Sequence, residues 1–322
     1  MPGDVFIHDT YFIVNGSPLV WLVMFAWIGL LGAIIGSFLN VVVYRLPRGM
    51  SLSVPGSHCP KCNHAIRWYD NLPVVGWLKL RGRCRDCGTA ISARYPLVEA
   101  LVASMFVALA YVDLLYGTLD RDTAIEPAAW AGFALHPLLL TTLLAAALIK
   151  YDAQPLPVRL FWPAVVVAIG VSIIWPAAFR LPLAWYPGDR FAHLEASPLG
   201  WPECLGGLVA GFIVGSILTM LIRSTGAASL FGNLTAELLT LGCCLGWQAT
   251  VWASLCVLVG VWLATRNVRL VVGSVFIAAA TWVVGAQSIF DASGRQATAH
   301  LPDVHSPYDT QGLQNLRQTT GK

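Results

Sequence analysis

Four cysteines stand in two pairs of identical spacing, Cys59-Pro60-Lys61-Cys62 and Cys84-Arg85-Asp86-Cys87, with 21 residues between the pairs. Each pair can present two sulfurs from one tight turn, and two such turns complete a tetrahedron. The spacing predicts one zinc ion held by Cys59, Cys62, Cys84 and Cys87. Four thiolates leave no open position on the metal, so its role is structural. His58 and His64 flank the first pair and are read as its neighbours, not as ligands. The segment that carries the cysteines has few large apolar residues, and a metal supplies the stability that so small a core lacks.

Charged residues also lie at the ends of apolar runs. Lys150 and Asp152 end one hydrophobic run, and Glu237 lies near the start of another. Asp152 lies two residues past Lys150, roughly 3 Å further along a helix axis. The remaining cysteines, Cys204, Cys243, Cys244 and Cys256, fall in or beside apolar runs and read as small buried hydrophobes.

The elements that must position these residues are membrane helices. Hydrophobic residues make up 57% of the 322 and charged residues only 11%, against about 25% charged in soluble domains. Mean hydropathy is +0.66. Taking about 20 apolar residues per crossing, eight spans are expected: Pro18–Tyr44, Val98–Tyr116, Ala129–Ile149, Arg159–Phe179, Cys204–Ile222, Leu234–Trp247, Thr250–Thr265 and Val268–Phe290. The sixth and seventh are short and joined at Gln248-Ala249. The expected fold class is an all-α polytopic membrane protein with about eight transmembrane helices and a small cytoplasmic zinc-binding insert between helices 1 and 2.

Charge placement orients these spans. Nine of the 20 basic residues lie from Arg45 to Arg94, and Lys150, Arg159, Arg223, Arg266 and Arg269 bring that side to 14. Six remain for the other side and the tail. The bias predicts a cytoplasmic insert and both termini outside. The expected organisation is an extracytoplasmic segment 1–17, a first span 18–44, the four-cysteine insert 45–97, a membrane domain 98–290 and a polar, disordered tail 291–322. Residues 1–18 contain no Lys or Arg, so they lack the basic start of a cleaved signal peptide. The basic insert lacks the aromatic–basic pattern of single-strand binders. Membrane lipid is the expected partner of these charges, and no nucleic acid is expected.

Gly36–Asn40, Tyr44–Gly49, Ser57-His58-Cys59-Pro60-Lys61-Cys62, Trp68–Pro73, Arg81-Gly82-Arg83-Cys84 and Arg94–Glu99 follow one another in a specific order. In these motifs the chain closely resembles the bacterial type IV prepilin peptidases, over about residues 18 to 290. The resemblance implies a bacterial inner-membrane protein acting on type IV pilin or type II secretion pseudopilin precursors. It implies an aspartic endopeptidase that removes leader peptides and a methyltransferase that uses S-adenosylmethionine. It also implies two intramembrane aspartates, one in an Ile-Asp motif and one in Gly-x-Gly-Asp.

Both aspartate positions are substituted here. Ala147-Leu148-Ile149-Lys150-Tyr151-Asp152 matches the first motif with Lys150 in place of the acid, and Val158 replaces a later aspartate. At the second, alignment from Gly232 puts Asn233 at the acid, whereas counting back from Gly242 puts Leu234 there. The expectation is a family protein with degraded peptidase activity, and no catalytic residue is assigned. The alternative is an active peptidase that uses displaced acids, Asp152 and Glu237. Glu237 lies four residues past Asn233, about 6 Å further along the helix. The shifts oppose, giving roughly 9 Å of mismatch, so such a dyad needs a bent or unwound segment. Lys150 is read as an interfacial anchor or as a partner of Glu237. A channel or transporter would need broken helices around a polar midplane, and these spans are mostly apolar.

Overall fold

The computed structural model describes residues 18–116, 127–175, 200–224, 234–264 and 276–283. Their regular structure is helical, apart from two isolated antiparallel bridges in the insert. Helix α1 is Pro18–Arg45, α2 is Val75–Lys79 and α3 is Arg94–Ala110, prolonged by a π-turn over Tyr111–Tyr116. Helix α4 is Pro127–Tyr151, α5 is Trp162–Ile174, α6 is Gly200–Ser224 and α7 is Leu234–Ala264. Residues 276–283 form α8.

Four of the helices are long and apolar enough to cross a bilayer: Pro18–Arg45, Arg94–Leu114, Ala129–Tyr151 and Cys204–Leu221. They correspond to the first, second, third and fifth expected spans and mark a membrane protein. The fourth and sixth are shorter apolar helices, Val158–Ile174 and Leu234–Gly246. The eighth is described only over 276–283. The segments 1–17 and 291–322 lie outside the described residues.

Most helix ends fall a few residues from the expected spans, and two of these differences have a clear local cause. Helix α3 begins at Arg94, not Val98, because Pro96 in a first turn gives up an N–H that has no helical partner there. The break between the sixth and seventh segments falls at Gly246, not Gln248-Ala249. Gly246 has φ 83° and ψ 174°, a positive φ open to glycine and strained for residues with a Cβ.

Two seams of small residues hold the bundle. Helix α1 packs on α3, and a Cβ on Gly36 would lie 2.8 Å from the Glu99 Cα, one on Gly32 2.9 Å from the Ala103 Cα. Helix α6 packs on α7 through Gly207, Gly211 and Gly215. A Cβ at Gly207 would come within 1.9 Å of the Gly242 carbonyl oxygen, and one at Gly211 within 2.4 Å of that of Leu238. Where lipid is as apolar as leucine, close backbone packing of this kind drives association. Among the four long apolar helices α4 is the most enclosed, with Leu135, Leu139, Leu143 and Ile149 buried. Its last turn meets the first turn of α7.

Candidate functional site

The two cysteine turns of the insert are built alike. The Cys59 N–H donates to the His64 carbonyl and the Asn63 N–H to that of Cys59; the Cys84 N–H donates to Thr89 and the Gly88 N–H to Cys84. Asn63 and Gly88, four residues past the first cysteine of each pair, both take positive φ, 59° and 69°. Each turn is flanked by one bridge, His58 with Ala65 and Arg83 with Ala90. The spacing seen in the sequence is therefore one local fold used twice.

The four sulfurs lie within 4.8 Å of one another. Cys59 Sγ is 3.8 Å from Cys87 Sγ, and Cys62 Sγ is 4.0 Å from Cys84 Sγ. Metal–sulfur bonds of about 2.3 Å give tetrahedral edges of about 3.8 Å, so Cys59, Cys62, Cys84 and Cys87 could hold a metal ion. Electrostatics point the same way. The N–H groups of Cys62 and Lys61 stabilise a Cys59 thiolate and bring its pKa to about 6. Cys62 accepts the His64 N–H, yet burial and the adjoining cysteines push it to about 12. Four thiolates so close together need a cation among them. His58 turns its Nδ1 to the Gly56 carbonyl at 2.9 Å and His64 is exposed; neither joins the cluster.

The surrounding motif residues hold the insert to the membrane helices. Asp70 receives Arg85 in a two-pronged contact, 2.6 Å from Nε and 2.5 Å from Nη2, with Lys79 at 3.8 Å. This hydrogen-bonded guanidinium holds the Asp70 carboxyl below the usual carboxylate range. Arg85 belongs to the second cysteine turn, so the contact fixes that turn on Trp68–Asp70. Arg45, at the end of α1, donates to the carbonyls of Ser51 at 3.1 Å and Pro55 at 2.7 Å. Glu99 on α3 accepts the Val74 N–H at 2.6 Å. A cavity of about 580 Å³ lies between the insert and α1 and α3, lined in part by Asn40, Tyr44, Tyr95 and Glu99.

The second group is Lys150 with Glu237. Lys150 Nζ lies 2.5 Å from Glu237 Oε1, and the side chains are 5% and 3% exposed. The pairing expected between them is present. Glu237 is in the first turn of α7, where the helix dipole favours an acid. Asp152, just beyond α4, accepts from Arg94 Nη1 at 2.6 Å. It does not pair with Arg159, which instead donates to the Leu46 carbonyl at 2.7 Å. The two candidate acids therefore belong to different ion pairs. Leu234 is buried, and Asn233 lies outside the described residues. Sequence reasoning missed the contact of His136 Nδ1 with Asp113 at 3.0 Å and that of Cys204 Sγ with Cys243 Sγ at 3.2 Å. Histidine and aspartate 23 residues apart carry no spacing signal.

Residues 30–112 match the Bacterial Peptidase A24 N-terminal domain. The chain is 38% identical over 154 residues to the prepilin leader peptidase/N-methyltransferase of Myxococcus xanthus, covering 47% of this chain and 41% of that protein. It is 36% identical over 203 residues to the type 4 prepilin-like proteins leader peptide-processing enzyme of Escherichia coli, covering 56% and 62%. These matches thus span less than two thirds of either relative. With the prepilin leader peptidase/N-methyltransferase of Dickeya chrysanthemi it shares 32% identity over 265 residues, 75% of this chain and 80% of that one. No solved structure matches the chain. On this identity and coverage, the chain belongs to the prepilin leader peptidase/N-methyltransferase family.

Proposed function

We propose that this protein is a multi-pass protein of the bacterial inner membrane that acts on type IV pilin or type II secretion pseudopilin precursors with its aspartyl peptidase chemistry degraded. The observation that carries the proposal is the buried contact of Lys150 with Glu237. A pair of acids works when one carboxylate takes a proton from water and the other carboxyl holds or donates one. Here the Glu237 carboxylate is neutralised by an ammonium, and a charged lysine accepts no proton. A working peptidase on displaced acids would require Glu237 to leave Lys150 and Asp152 to leave Arg94.

In this reading the insert, 45–97, faces the cytoplasm and the membrane domain is 98–290, with eight spans. Zinc is the metal of the insert, held by Cys59, Cys62, Cys84 and Cys87 as a structural ion. S-adenosylmethionine is the methyl donor, and the cavity beside Glu99 is its proposed place. A buried carboxylate there offers negative charge to a sulfonium cation.

Membranes containing the protein, incubated with a prepilin and labelled methyl donor, test both halves at once. The expected result is an uncut leader, with methyl label entering a pilin supplied already trimmed. Leader removal overturns the degraded-peptidase half, and an unlabelled trimmed pilin overturns the methyl-transfer half.

A further inference from the structure

We propose that Cys204 and Cys243 are joined by a disulfide in the membrane-inserted protein, closing the α6–α7 hairpin into a covalent ring. Their sulfurs lie 3.2 Å apart and both residues are buried. A disulfide of about 2.05 Å asks them to close by roughly 1 Å. The backbones allow this, because the helices cross in contact beside the pair, at Gly207 and Gly242. Cys204 is in the first two turns of α6, and Cys243 lies three residues before the break at Gly246. The pair therefore ties the end of the hairpin remote from the 225–233 connection. Of the other six thiols, Cys244 faces the Ala164 carbonyl at 3.9 Å, four are gathered in the insert, and Cys256 lies 13 residues further along α7 than Cys243.

The chemistry rests on the proposed topology, which puts this end of the hairpin on the extracytoplasmic side, where disulfides persist. Each thiol loses its hydrogen and one S–S bond forms. The two electrons and two protons pass to a protein disulfide of that compartment, which becomes a dithiol. Exchange takes place as the hairpin inserts, before α5 packs over the sulfurs. Once enclosed, the bond is shielded from reductants. It then pins the glycine seam, and with it Glu237, about 9 Å along α7 from Cys243.

The test uses the full-length protein from membranes prepared without reductant. It is denatured with chelator and N-ethylmaleimide, and its intact mass is read before and after reduction. Eight cysteines are present, so two in one disulfide leave six alkylated before reduction and two more afterwards, with a peptide linking Cys204 to Cys243. Eight alkylated cysteines before reduction overturn the proposal, as does a link that forms only with added copper–phenanthroline. The wild-type mass needs no variant to fold, and Cys204→Ser, where it is made, is expected to free Cys243 for alkylation. A reporter fused at Tyr186 reads the topology separately. A disulfide with a cytoplasmic signal keeps the bond and overturns the topology; eight free thiols with an extracytoplasmic signal do the reverse.

Discussion

Lys150 in the last turn of α4 and Glu237 in the first turn of α7 form an enclosed ion pair that ties two membrane helices. Removing one partner of a buried pair leaves an uncompensated charge and costs about 3–5 kcal/mol. Removing both in favour of apolar side chains of similar volume is often neutral or stabilising. Lys150→Met or Glu237→Gln alone is therefore expected to lower thermal stability in detergent strongly. The double variant Lys150→Met, Glu237→Leu should recover most or all of the loss. Additive losses in that cycle would show that the two side chains act independently.

The cysteine cluster predicts near one zinc per chain by elemental analysis of the full-length protein. Cys59→Ser together with Cys84→Ser takes one ligand from each turn and should abolish it. With metal bound, the four insert thiols should resist maleimide, and chelator should expose them. A protein that is metal-free, folded and unresponsive to chelator contradicts the assignment.

The Asp70–Arg85 contact carries a pH dependence of fixed sign. The folded Asp70 carboxyl is held below its ordinary value, chiefly by its hydrogen bond from Arg85. Its contribution is complete above the unfolded carboxyl value of about 3.9 and is lost as pH falls through the lower folded value. Asp70→Asn is expected to lower the thermal stability of the chelator-treated protein at pH 7, a readout that thiolate protonation at the metal site does not enter. The difference from wild type should be constant down to about pH 4 and close only in stronger acid. A gap that closes between pH 8 and 6 would assign it to another group.

Neighbouring glycines on α6 should respond in opposite ways. A Cβ at Gly207 meets the Gly242 backbone, whereas one at Gly206 meets nothing within 4 Å. Gly207→Ala is expected to cost about 1–3 kcal/mol through overpacking. Gly206→Ala should be neutral or gain up to about 1 kcal/mol from helix propensity. Thermal unfolding of the two variants in one detergent reads the contrast.

Local patterns made much of this site legible. The cysteine turns were visible because each is six residues long and closes on its own hydrogen bonds. Long apolar runs marked the spanning helices, and the family resemblance singled out Lys150, where an aspartate is expected, and Glu237 as a displaced acid. What the sequence hid depends on contacts between distant segments. Asp70 reads as part of a polar motif, yet its role comes from Arg85, 15 residues later. Asp152 meets Arg94, 58 residues away in the chain and brought to it by α3. Cys204 and Cys243 looked like ordinary small hydrophobes because only the glycine seam of α6 and α7 brings their sulfurs together. The break at Gly246 was misplaced by two residues because apolar composition does not record φ.

The loss of leader cleavage is tested most directly in a strain lacking its own prepilin peptidase, with prepilin mobility as the readout. The account predicts that wild-type protein leaves prepilin at precursor size, and that Lys150→Asp with Asn233→Asp restores the shift to mature size once Glu237→Leu removes the acid that Lys150 had paired. Cleavage by the wild-type protein that disappears on Asp152→Asn or Glu237→Gln would contradict it.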